Sequence, residues 1–329
     1  MAPPKCVLLN AKRLNFDGAL DFGRLEAAAD VRSFELSPDD ESILANVAGA
    51  EVVVTKELVL TGAVIARFPD SVKLVIEAGT GYNNVDRFAL SKKNIQLRTC
   101  PAYSTAAVAT LVLTHILNFS TSMYAQQARV AGGDRAHFED LDRNVGALPL
   151  FEIAGRTLGL IGGNGCIGSH VARLALAHGM RVLVSSRSGA APDGCEAAAL
   201  EKLLRESDFV SVHCPLNDAT RHLLDAEKLA MMRPTAYLIN TARGAIVDER
   251  ALVAALRGKR LAGAGLDVQD PEPPLRDSPL WDVAVLTPHV GWRRRETRQR
   301  LVDLVAANVA AYAAGEPANV VSPPLPTPP

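Results

Sequence analysis

The sequence predicts an α/β protein of two doubly wound units, one inserted within the other. Three observations carry this. Short β-branched apolar runs alternate with helical segments up to residue 99, and the alternation resumes near residue 156. A helix-forming stretch without proline or glycine, Ser104–Ala131, separates the two sets. A long amphipathic segment, Glu296–Ala314, lies past the second set, so the chain crosses over, builds a second unit and returns to the first. At 329 residues the chain is long for one core.

Taken in order, KCVLLN (Lys5–Asn10), EVVVT (Glu51–Thr55), VKLVIEAG (Val72–Gly79) and IQLRT (Ile95–Thr99) have the length and β-branching of buried strands. Pro38–Ala48 reads as a helix, with Ser37 as its expected N-cap, Pro38 in the first turn and acids near the positive end. Ser104–Ala131 is apolar nearly all round and predicts one long buried helix, on which His115 and Met123 pack into a core or interface. A polar, glycine-containing segment, Gly132–Pro149, follows. Strands are then expected at Arg156–Gly162, Arg181–Ser185, from Phe209, at Ala236–Asn240, Leu261–Val268 and Val283–Thr287, about six in all. Helices fall between them at Gly168–His178, Ala197–Arg205, Asp225–Met232 and Asp248–Arg257. The expected boundaries are 1–104 with 293–320 for one unit and 105–292 for the other. Residues 321–329 form a proline-rich tail expected to be disordered.

Net charge is -1, so no strong field draws nucleic acid or an anionic membrane. The run Arg293–Arg295 reads as a solvated helix start. The five cysteines form no CxxC pair, which points to a reducing compartment without a metal site. Cys166 is expected to be a small space-filler, and His170 has no ligand partner one turn on, so no zinc site is suggested. The apolar opening Lys5–Leu9 is too short for a signal peptide. No run reaches the ~18 apolar residues of a membrane span. A soluble intracellular protein is the expectation, cytoplasmic first, with an organelle as the alternative.

Gly163, Gly165 and Gly168 make GNGCIG, a GxGxxG between a strand and a helix, with a second strand following. That context suits a pyrophosphate. Gly163 would make the tight turn, Gly165 would let the backbone approach the phosphates, and Gly168 would pack helix on strand. Cys166 and Ile167 open the helix whose N-terminus faces the phosphates. Gly162 adds a glycine ahead of the motif. An acid about 20 residues on would hold the ribose of NAD. Here the second strand ends Val184, Ser185, Ser186, Arg187, Ser188. Arg187 offers a charged fork to a 2′-phosphate, and Ser186 and Ser188 add hydroxyls. NADP(H) is therefore predicted over NAD(H), which stays as the second cofactor; the competing reading leaves Arg187 merely solvated.

Arg243, Glu272 and His289 each follow an apolar strand, at the carboxyl ends where ligands bind in parallel sheets. A 2-keto acid needs a fixed cation for its carboxylate, which Arg243 supplies. Its keto oxygen needs a proton donor that works near neutral pH, which suits His289. Glu272 would steady the imidazolium behind it.

These segments, in this order, resemble the D-isomer-specific 2-hydroxyacid dehydrogenase family from EVVVT through Val320. The matching stretches are AGTGYNNVD (Ala78–Asp86), PAYSTAAVA (Pro101–Ala109), the glycine loop, VHCPLNDATRHLL (Val212–Leu224), NTARGAIVDE (Asn240–Glu249), GLDVQDPEP (Gly265–Pro273) and TPHVG (Thr287–Gly291). The resemblance implies a Rossmann-like dinucleotide-binding domain inserted into a flavodoxin-like substrate-binding domain. It implies His289 as acid–base residue, Glu272 as its partner and Arg243 as substrate anchor. Asp267 would lie near the nicotinamide amide. Thr241–Arg243 and His213–Pro215 would line the cofactor by backbone, with Thr220 in the same segment. Gly79, Thr80 and Gly81 would offer backbone donors to the substrate carboxylate across a closing cleft. A homodimer through the nucleotide domains is implied too. Trp292 and the helix after it are similar to the glycerate dehydrogenase (hydroxypyruvate reductase) branch, which places Trp292 among the substrate contacts. Three departures stand out: Ala102 where the family usually has glycine, Thr110 where it often has Gln or Glu, and a glycine loop one residue longer.

The implied activity is NADPH-preferring reduction of hydroxypyruvate or glyoxylate to D-glycerate or glycolate, with His289 as proton donor. The alternatives are a D-lactate dehydrogenase or another keto-acid reductase of the family, and a nucleotide-sensing, corepressor-like protein on the same fold.

Overall fold

The computed structural model describes residues 2–135, 138 and 148–321. Most of the segment expected between 132 and 149, and the tail from residue 322, lie outside the described residues. The chain divides into two compact units, Met1–Ser104 with Arg293–Pro329, and Thr105–Trp292.

The first unit holds five parallel strands, β1 (Lys5–Leu8), β2 (Asp30–Ser33), β3 (Val52–Thr55), β4 (Leu74–Glu77) and β5 (Gln96–Arg98), in the order β2-β1-β3-β4-β5. This is the flavodoxin-like order. β3 and β4 are buried along their whole length, which is why they read as continuous apolar runs. β2 is an exposed edge strand without an apolar run, and the sequence reading passed over it. The cap expected at Ser37 is a correction. Ser37 is buried and its hydroxyl donates to the Leu9 carbonyl (2.6 Å), tying the loop to the end of β1. The helix starts later, at Asp40, under a capping box made by Asp39 and Ser42. The helix Arg295–Ala313 buries Leu301, Val302, Val305 and Val309. Of the arginine run ahead of it, Arg294 and Arg295 are exposed.

The second unit is a seven-stranded parallel sheet of β6 (Thr157–Ile161), β7 (Arg181–Ser185), β8 (Glu196–Ala197), β9 (Phe209–Val212), β10 (Tyr237–Asn240), β11 (Gly263–Leu266) and β12 (Val285–Leu286). Its order, β12-β11-β10-β9-β6-β7-β8, is the doubly wound nucleotide-binding order with one strand added. The added strand is β12, beside β11 at one edge; β8, the third strand of that order, is the one without a counterpart among the expected strands. Ala198 continues its ladder by donating to the Val184 carbonyl, so the helix expected from Ala197 begins at Leu200.

The long helix expected over Ser104–Ala131 is two helices, Thr105–Thr121 and Met123–Ala131, bent by 64°. Ser122 sits between them in the left-handed region (φ 48°). Polar side chains replace the interrupted ladder: Asn118 Oδ1 accepts from the Tyr124 N–H, and the Thr121 hydroxyl donates back to the Leu117 carbonyl. The first helix is buried along most of its length, His115 included. The second has no buried residue, and Met123, expected in a core or interface, is 57% exposed. No single helix among the described residues is long and apolar enough to cross a membrane. Among those residues no cluster of His, Cys, Asp and Glu could hold a metal ion.

Candidate active site

The cofactor candidates stand at the carboxyl ends of β6, β7, β9, β10 and β11. Between β6 and the helix Cys166–Ala177 the chain turns through residues 162–165. The left-handed residue is Gly162 (φ 84°), and a Cβ there would also strike the Cys214 backbone at 2.7 Å. The tight turn expected of Gly163 therefore belongs to Gly162. Gly163 lies under Val184 instead, and a Cβ on Gly168 would come within 2.6 Å of its Cα, so this pair provides the close helix–strand approach. A Cβ on Gly165, the helix N-cap, would meet only the Gly162 carbonyl oxygen, at 3.7 Å. That leaves an open cradle where a pyrophosphate can reach the N–H groups of the first turn, Cys166 and Ile167 among them. Cys166 is exposed at the mouth of this turn and is not the space-filler expected.

At the end of β7, Ser186, Arg187 and Ser188 form an exposed turn without a carboxylate. Arg187 makes no hydrogen bond or ion pair among the described residues. The Asn164 side chain reaches over from the glycine loop, its Nδ2 donating to Ser186 Oγ (3.2 Å), Ser188 Oγ (3.1 Å) and the Ala190 carbonyl (2.6 Å).

After β9, the His213 N–H donates to the Ile161 carbonyl (2.7 Å), and burial pushes its imidazole down to about 4, so it is neutral at pH 7. Pro215 follows on the exposed part of the loop. Thr220 was expected at the cofactor, but its hydroxyl is spent locally, donating to the Pro215 carbonyl (2.6 Å) and accepting from the Asn217 N–H (2.8 Å). After β10, Thr241 Oγ1 is buried without a partner among the described residues, an orphan that a ligand or water can satisfy. The open cradle, the acid-free turn and this orphan fit an NAD(P) dinucleotide.

Arg243, Glu272 and His289 are brought into one neighbourhood by a close backbone crossing. A Cβ on Gly244 would lie 2.1 Å from the carbonyl carbon of Gln269, so only glycine lets the Arg243 turn pass the segment that carries Glu272. The Gln269 N–H donates to Glu272 Oε1 (3.0 Å), which leaves Oε2 to accept from His289 Nδ1 (2.9 Å). With Nδ1–H committed to the carboxylate, Nε2 is the atom left for proton transfer. His289 itself is left-handed (φ 52°), with its N–H shared between the Asp267 and Thr287 carbonyls. Asp267 is buried and organises this loop. Oδ1 accepts from Thr287 Oγ1 (2.6 Å) and the Val290 N–H (2.8 Å), and Oδ2 from the Gly291 N–H (2.9 Å). Its carboxylate is thus largely occupied in setting the backbone of His289. Trp292 is 4% exposed and offers a ligand little surface.

In the first unit, the loop after β4 carries Gly79, Thr80 and Gly81. The Gly79 N–H is already used, donating to the Glu77 carbonyl (2.8 Å), so Thr80 and Gly81 supply the backbone donors available to an anion. Beneath the loop lies a buried charge network. Lys56 Nζ pairs with Glu57 Oε1 (2.9 Å), and Glu57 Oε2 pairs with Arg13 (2.9 Å). Glu77 accepts from the Glu57 N–H (3.2 Å) and Asn84 Nδ2 (2.8 Å). Burial pushes the Glu77 carboxyl up to about 7, against the opposing pull of Lys56 and Asn84. The folded chain therefore holds this proton more tightly than an unfolded one, and the stabilisation it gives is lost as pH rises from about 4.5 through about 7. Melting temperature should fall across that window, and Glu77→Gln should flatten the slope; an unchanged slope would assign it to other groups.

Residues 113–291 match the family described as D-isomer specific 2-hydroxyacid dehydrogenase, NAD binding domain. The chain belongs to the D-isomer specific 2-hydroxyacid dehydrogenase family. It is 31% identical to a hydroxypyruvate reductase of Blautia hydrogenotrophica, over 97% of this chain and 99% of that one. It is 34% identical to a glyoxylate reductase of Korarchaeum cryptofilum, over 89% of each. Among solved structures it is similar to an NADPH-dependent glyoxylate/hydroxypyruvate reductase of Sinorhizobium meliloti in complex with NADP and malonate. The TM-score is 0.81 at 26% identity, covering 98% of this chain and 97% of that one. This dehydrogenase is accordingly an NAD(P)-dependent oxidoreductase of 2-hydroxy and 2-keto acids.

Four residues that matter to the geometry escaped the sequence reading. Gly244 had a signal, a glycine directly after the arginine of interest. Gln269 acts through its backbone, which no side-chain pattern reports. Thr287 sits inside the TPHVG stretch but was not given a role. Asn164 occupies a position that the GxGxxG pattern leaves unassigned.

Proposed function

We propose that this dehydrogenase reduces a small 2-keto acid, glyoxylate or hydroxypyruvate, to the D-2-hydroxy acid with NADPH. The His289–Glu272 pair carries the reading, since it leaves Nε2 as a proton donor while Glu272 balances the imidazolium. Bound NADPH supplies a hydride to C2 of the keto acid. His289 gives its Nε2 proton to the keto oxygen as that oxygen becomes the hydroxyl. Arg243, whose guanidinium donates to the Ala242 carbonyl through one nitrogen (2.7 Å), has donors left for the substrate carboxylate and the oxygen gaining charge. The acid-free turn with an uncommitted Arg187 supports NADPH over NADH. The exposed apolar residues Met123, Tyr124 and Val130 support a homodimer formed through the second unit.

A steady-state assay tests the reading by following NADPH and NADH oxidation with glyoxylate, hydroxypyruvate, pyruvate and phenylpyruvate. Fast NADPH oxidation with the first two is expected. Preference for pyruvate or phenylpyruvate would move the substrate, and NADPH binding without turnover would point to a sensor. Arg187→Ala should raise the KM for NADPH about tenfold or more and that for NADH little. Equal changes would remove the 2′-phosphate argument.

A further inference from the structure

We infer that Asn164 is a specificity-determining positioning residue: it orients Ser186 and Ser188 so that this turn reads the 2′-phosphate of the cofactor. The inference rests on the NADPH reading above.

The geometry of the glycine loop is what makes the contact available. Gly162 takes the turn and Gly165 opens the pyrophosphate cradle, which leaves two residues between them. Gly163 has no room for a side chain, since a Cβ would meet Val184 at 2.8 Å. Asn164 is the residue that projects, and it projects toward the end of β7.

The chemistry of the contact sets the direction of the serine hydrogens. Asn164 Nδ2 can only donate, and it has two hydrogens for three acceptors: with one on the Ala190 carbonyl (2.6 Å), the two serine oxygens share the other. Ser188 Oγ also accepts from the Ala190 N–H (3.4 Å). With N–H donors on its lone pairs, the Ser188 hydroxyl has its own hydrogen to place, and within the turn the Ser186 oxygen, 3.3 Å away, can accept it until a ligand does. The Ser186 hydroxyl donates to the Ala190 carbonyl (2.8 Å), and that same carbonyl is held by Asn164. A ligand acceptor can draw the Ser186 hydrogen away while Asn164 keeps the carbonyl satisfied. Arg187, between the serines, adds a guanidinium without a partner among the described residues.

The turn thus collects donors and presents no carboxylate. A phosphate dianion is acceptor-only and suits it, whereas a ribose 2′-hydroxyl also has a hydrogen to place. The pyrophosphate cradle at Gly165 serves both cofactors alike, so any effect through Asn164 falls on the group that distinguishes them. A purely structural tether between the two loops would act on both cofactors equally.

Calorimetric titration of the full-length protein with adenosine 2′,5′-bisphosphate and with 5′-AMP separates these cases. The binding constants of NADPH and NADH are measured alongside, for the wild type, Asn164→Ala, Asn164→Asp and Arg187→Ala. Asn164→Ala should weaken the bisphosphate and NADPH about tenfold, and AMP and NADH by less than about twofold. Asn164→Asp should weaken the phosphate ligands further, because a carboxylate draws the serine hydrogens inward and repels the phosphate. Asn164 is exposed, so these variants leave the core untouched. Equal losses for all ligands, or no loss, would overturn the role of Asn164. If Arg187→Ala is still selective against NADPH in that case, the 2′-phosphate reading survives and only Asn164 is excluded. If Arg187→Ala also shows no selectivity, the NADPH reading falls and the inference with it.

Discussion

Replacing His289 by asparagine should lower turnover by a factor of ~10²–10⁴ while leaving NADPH binding within about twofold of wild type. Asparagine is the informative replacement. His289 holds a positive φ of 52°, a conformation asparagine tolerates and alanine does not favour, so the loop keeps its path while the proton donor is lost. Asparagine has no titratable proton to give to the keto oxygen. Stopped-flow turnover together with cofactor titration checks both halves. Turnover near wild type would move proton donation to another group. Glu272→Gln is the companion: it removes the charge behind the imidazolium but keeps a side chain in place, and it should lower turnover less than His289→Asn.

The parts of this site visible in the sequence are those whose signal is local. A charged residue in the segment that follows an apolar strand lies beyond the carboxyl edge of a parallel sheet, and that makes Arg243, Glu272 and His289 legible. Buried strands such as β3 and β4 are legible because both faces are covered. β2 is not, because an exposed edge leaves no apolar run to read. The break at Ser122 was invisible for a different reason. It depends on Asn118 and Thr121 bonding back to the chain, and apolar periodicity does not register such bonds. Asp39 caps the helix instead of Ser37, whose side chain is engaged elsewhere: it donates to the Leu9 carbonyl and accepts from Asn46 Nδ2. Gly163 and Gly162 exchanged roles because a pattern counts residues, while the turn is decided by which residue must take positive φ beside the Cys214 backbone.

Gly244→Ala should be the most damaging substitution that touches no reacting group. Its Cβ would sit 2.1 Å from the Gln269 carbonyl carbon, 2.2 Å from the oxygen and 2.7 Å from the Asp270 nitrogen. All three are backbone atoms, so no rotamer change relieves the clash and one segment must move. The segment that moves carries the Gln269 N–H that pins Glu272, and through it the orientation of His289. A displacement of about 1 Å in such an arrangement costs on the order of 100-fold in rate. The overpacking itself should cost about 1–3 kcal/mol, seen as a fall of several degrees in melting temperature. Loss of rate alone would not show the route, because a partly unfolded protein also loses rate. The double variant with His289→Asn does. If Gly244→Ala acts by misdirecting the Glu272–His289 pair, its effect on turnover per folded molecule largely disappears once His289 is gone. If the two losses multiply in full, Gly244 acts on something other than the proton donor, and the Arg243 turn on its other side is where the damage lies.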